Sequence, residues 1–66
     1  MDSHAILHEV KQLYDVSDRL DSLAEQHPLV SEALMTISGS VRNTATLLEV
    51  LVVTKMGRSG PEPANA

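Results

Sequence analysis

Apolar residues recur along this chain in steps of three and four, the α-helical period, in two blocks separated by Gln26-His27-Pro28. In the first block Ile6, Val10, Leu13, Leu20 and Ala24 share one face, with Ser17 in line and Leu7, Tyr14, Val16 and Leu23 flanking them. The opposite face carries His4, His8, Lys11, Gln12, Asp15, Asp18, Arg19, Ser22 and Gln26. This pattern predicts an amphipathic helix over about residues 3–26, with Asp2 or Ser3 available to cap its first turn. Asp15 and Arg19 stand at the spacing of a favourable pair. Asp21 and Glu25 repel at the same spacing, and each effect is worth only about a few tenths of a kcal/mol.

The second block runs from Pro28 to Gly57. Proline suits the first position of a helix, where its missing N–H is not needed, and glycine suits the left-handed position just past the end. Lys55 in the last turn faces the negative end of the helix dipole. Between them Val30, Leu34, Ile37, Val41, Leu48 and Leu51 form a stripe, with Thr44 in its one polar slot and Ala33, Ala45 and Val52 widening it. A thinner stripe of Met35, Gly39, Thr46, Val50 and Val53 lies well around the same helix, interrupted by Arg42 and Asn43. Only Glu32, Arg42, Glu49 and Lys55 are charged in this block. A helix packed on one side normally keeps a broad charged face, so this one is expected to be buried on two sides.

Ser38-Gly39-Ser40 is the weak point of that helix, since a mid-helix glycine costs about 1 kcal/mol relative to alanine. A break there would give a three-helix bundle. The stripe stays in phase through Ile37 and Val41, which favours one helix over about 28–56. Gly39 could also admit a close approach by another helix.

The residue before a proline is pushed out of the helical region, so the first helix should end near Gln26 and the turn should occupy 26–28. So short a connection makes the helices antiparallel neighbours. Residues whose numbers sum to roughly 54 then face each other, pairing Val30 with Ala24, Leu34 with Leu20, Val41 with Leu13 and Leu48 with Ile6. All four pairs are apolar. The expected fold is all-α, an antiparallel two-helix hairpin over 1–57 followed by a disordered tail over 58–66, which is rich in proline, glycine and small residues.

Length and composition then decide how such a hairpin could be stable. Sixty-six residues make a single small domain that is marginal alone. There is no cysteine, hence no disulfide and no thiolate zinc site, and Tyr14 is the only aromatic residue. Self-association is the remaining remedy. Two hairpins packed face to face make a four-helix bundle, with coiled-coil-like crossings, and a twofold homodimer is the commonest closed form. The interface is expected from the apolar flanks: Leu7 and Tyr14 on the first helix, and Leu47, Leu48, Val50, Leu51 and Val53 on the second.

Candidate chemistry is sparse. His4 and His8 stand four apart on a helix and could share a metal, but Gln12 occupies the place of a third histidine and a solvated polar face is the plainer reading. His27 reads as a turn residue. No phosphate-binding glycine loop, nucleophile with base, or carboxylate pair inside the predicted core is present, so neither catalysis nor a cofactor is expected. Ser17 and Thr44 interrupt the apolar stripes, and such hydroxyls usually bond back to their own helix. The formal charge is −4. The first helix region alone supplies that excess, with Asp2, Glu9, Asp15, Asp18, Asp21 and Glu25 against Lys11 and Arg19. The architecture resembles that of small hairpin dimers, some of which bind RNA, but the charge argues against phosphate binding. The apolar run around Leu47 to Val53 is too short for a membrane span. With no secretory pattern at Met1-Asp2-Ser3, a cytoplasmic location is expected. Two functions remain: a self-associating structural or oligomerisation protein, or an adaptor whose apolar groove accepts a helix of another protein.

Overall fold

A hairpin forms, and its bend is set by one residue. His27 sits at φ −133°, ψ 79°, outside the helical region, as its position before Pro28 requires. The computed structural model describes residues 3–56. Helix α1 spans Ser3–Gln26, a short 3-10 turn covers Pro28–Val30, helix α2 spans Ser31–Leu51, and the chain continues as a wider π-helical turn over Val52–Met56. The Val30 N–H donates to the His27 carbonyl at 3.1 Å, and the Ser31 N–H donates to the Pro28 carbonyl. Pro28 therefore begins a tight 3-10 turn, and regular α-helix starts three residues later. Leu29, at the tip, is fully exposed.

α2 is continuous through Ser38-Gly39-Ser40, so the three-helix alternative does not apply. The hydroxyls of Thr36, Thr44 and Thr46 each accept the local solution open to a helical threonine, donating to the carbonyls of Glu32, Ser40 and Arg42 four residues back. At the far end Thr54 does the same to Val50, inside the π turn. Asp2, Gly57 and the expected tail over 58–66 lie outside the described residues.

The seam between the helices is built from small residues. Val10, Ser17 and Ala24 of α1 are buried, as are Ser38 and Ala45 of α2 and Val52 just beyond it. They repeat every seven residues, a spacing that keeps one face of each helix turned toward its partner. Small side chains let the two backbones approach closely. Ser17 and Ser38 meet across the seam, and their numbers sum to 55. Continuing that register sets Val10 level with Ala45 and Ser3 level with Val52, one residue off the expected sum.

The large aliphatics lie beside this seam instead of in it. Ile6, Leu13, Leu20, Leu34, Val41 and Leu48 are only half-buried. Val30, Ile37 and Leu51, assigned to the core stripe by periodicity, are exposed, Ile37 at 52%. The stripe on α2 is rotated away from α1, so within one chain α2 is not buried on two sides.

Candidate interaction surface

At 100° per residue, the seam positions of α1 and α2 divide each helix into two flanks. Side-chain bonds across the hairpin show which flanks lie together. The Tyr14 hydroxyl donates to Glu49 Oε1 at 3.0 Å and is within 3.0 Å of the Thr46 hydroxyl. Arg42 Nη2 reaches Asp18 Oδ1 and Asp21 Oδ2, each at 3.2 Å. These residues define a polar flank. The same guanidinium nitrogen donates to Ser17 Oγ at 2.7 Å, tying this flank to the middle of the seam. Asp21 is thus engaged across the hairpin. Among the described residues, Asp15 of the first helix, where a pair with Arg19 was expected, pairs with Lys11 at 3.8 Å. Both members of that pair are well exposed, so it adds little.

Among the described residues the other flank has no such network. It carries the half-buried Ile6, Leu13 and Leu20 of α1 beside Leu34, Val41 and Leu48 of α2, with Val16, Leu23, Val30 and Ile37 at its edges. Within one residue of the seam's register, Ile6 lies level with Leu48, Leu13 with Val41 and Leu20 with Leu34. The levels are seven residues apart, or roughly 10 Å. Glu9 is the one charged α1 residue directed to this side, and none of α2 is.

The seven residues expected at an interface are therefore not brought together. Leu7, Tyr14, Val50 and Val53 belong to the polar flank, where Thr46, Glu49, Val50, Val53 and Thr54 line an open groove of about 330 Å³. Leu48 stands on the charge-poor flank with Leu51 at its margin, and Leu47 points away from α1. Val53 is the most exposed of them, at 64%.

Periodicity put Ser17 on the inner face of the first helix but left Ser38 out of both stripes, and it did not show that the two meet at the centre of the seam. Ser17 was expected to bond to its own helix and does not. Its hydroxyl lies 2.7 Å from that of Ser38 and 3.2 Å from the Ser38 carbonyl, while the Ser38 hydroxyl donates to the Ser17 carbonyl at 2.9 Å. Every polar atom of this pair has a partner, which is what burial demands. The signal that could have found it is the seven-residue recurrence of small side chains: Ser3, Val10, Ser17, Ala24, Ser31, Ser38, Ala45, Val52.

His8 and His27 are exposed, as is His4, and no group of three potential ligands for a metal occurs among the described residues. No described helix is long and apolar enough to cross a membrane. No protein-family model matches the chain, and no curated protein or solved structure is detectably similar to it.

Proposed function

We propose that this chain is a self-associating helical protein with a structural or oligomerisation role, two hairpins forming a four-helix bundle. The observation that carries the reading is the mismatch between seam and surface. The buried apolar side chains of the described hairpin are two valines and two alanines, while eleven large aliphatic residues are exposed. An apolar surface of that extent marks an interface. A layer of two helices also needs a second layer to enclose a core. No catalytic step belongs to this reading.

Thermal unfolding at a series of protein concentrations tests it. Because assembly stabilises by mass action, the midpoint should rise with concentration. A midpoint independent of concentration, in a protein that is monomeric throughout, would sink the proposal.

One observation favours a second reading, an adaptor that binds a helix of another protein. The groove beside Val50 and Val53 lies on the polar flank and would remain open if the charge-poor flank were consumed by self-association. A homodimer that still binds a hydrophobic dye, with binding lost on changing Val50 to Ser, would support it.

A further inference from the structure

The geometry points to the charge-poor flank as the surface on which a second copy of this chain docks, with the Tyr14–Arg42 flank left facing outward. This rests on the self-association reading and goes beyond it by assigning the face. Three observations single out the second copy as the occupant. The first is area. α1 has 24 residues, so the flank is roughly 36 Å long and about 20 Å wide across two adjacent helices, some 700 Å². A stable standard-size interface buries about 800 Å² per partner, so one flank placed on its own copy falls in the required range.

The second is self-complementarity. A twofold interface must fit itself, residue against residue. Three evenly spaced levels, Ile6/Leu48, Leu13/Val41 and Leu20/Leu34, look alike when viewed from either end. Two such faces can interleave level between level whichever way the second hairpin runs. The third is charge. Opposed copies of the polar flank would bring two sets of Asp18, Asp21 and Glu49 together around the exposed edges of Arg42, whereas opposed charge-poor flanks bring almost no like charge into contact. The repulsion disfavours the alternative arrangement and favours the apolar one.

Single cysteines test the assignment, since the chain has none of its own. Ile37→Cys stands on the charge-poor flank and Val53→Cys on the other, and both positions are exposed in the hairpin. Alkylation is followed with iodoacetamide at concentrations spanning assembly, and the mass of each variant is measured in parallel. The expected result is that assembly slows reaction at Ile37→Cys by at least on the order of tenfold and leaves Val53→Cys unchanged. An oligomer in which Val53→Cys is protected and Ile37→Cys is not would overturn the face assignment while keeping self-association. Monomers at every concentration would overturn both. Ile37→Asp gives an independent reading, because an exposed residue can be charged without disturbing the hairpin seam. It should abolish the oligomer, and Val53→Asp should not.

Discussion

The hydroxyls of Ser17 and Ser38 lie 2.7 Å apart at the centre of the seam, and each also reaches the other's backbone carbonyl. A serine side chain is so short that this reach requires the two helix backbones to be almost in contact. The pair therefore fixes both the spacing of the helices and their register. Slipping α2 by one residue would break these cross-seam bonds, each worth about 0.5–1.5 kcal/mol net.

Removing one hydroxyl should be mild and enlarging the side chain severe. Ser38→Ala leaves Ser17 free to donate to the Ser38 carbonyl, so a loss of about 1 kcal/mol is expected. Ser17→Leu places a branched side chain where the backbones nearly touch and should cost more, about 1–3 kcal/mol or beyond. Urea midpoints rank the two variants. Equal effects would mean the seam is not closely packed.

Arg42 joins the seam to the acidic edge of α1 through Ser17, Asp18 and Asp21. Arg42 and Asp21 are half exposed and Asp18 is well exposed, so the pairs contribute no more than about 1 kcal/mol between them. Arg42→Gln should lower stability by that order in low salt, and the gap from the wild type should narrow as salt is raised. A salt-independent gap would assign the effect to the Ser17 bond alone.

Gly39 has open space where a side chain would project, with nothing within 4 Å of an added Cβ. It lies in the interior of α2 and on the polar flank. Gly39→Ala should therefore stabilise the protein by roughly 0.5–1 kcal/mol through helix propensity and leave its mass unchanged. Loss of assembly in this variant would show that another helix approaches at Gly39, against the face assigned above.

Tyr14 bonds Thr46 and Glu49 within its own hairpin. Tyr14→Phe should cost about 1 kcal/mol or less and leave the oligomer intact, as judged by sedimentation. Dissociation of this variant would instead place Tyr14 at the interface.

Much of the backbone was legible in the pattern. Pro28 with its restricted neighbour His27 gave the turn, unbroken phase through Ile37 and Val41 gave a continuous α2, and alternating faces gave α1. The α2 side of the seam was misjudged for a physical reason. Hydrophobic periodicity points to the largest apolar residues, and a close-packed pair of helices excludes them from its centre. Val30, Ile37 and Leu51 were accordingly placed in a core where the buried residues, among those described, are Val10, Ser17, Ala24, Ser38, Ala45 and Val52. Serine reads as an interruption unless its recurrence at seven is noticed. The grouping of Tyr14 with Arg42 depends on which flanks lie together, and long side chains reaching obliquely across the hairpin leave no trace in spacing. The π turn at Val52–Met56 has no sequence signature either.

The mass in solution, measured by light scattering across a concentration series with helicity followed by circular dichroism, decides whether the hairpins pair. A dimeric bundle gives a mass of twice the chain that persists on dilution, with helix lost only where the dimer dissociates. A helical monomer stable at all concentrations would contradict it, because the narrow seam of Val10, Ala24, Ala45 and Val52 around the serine pair would then suffice alone.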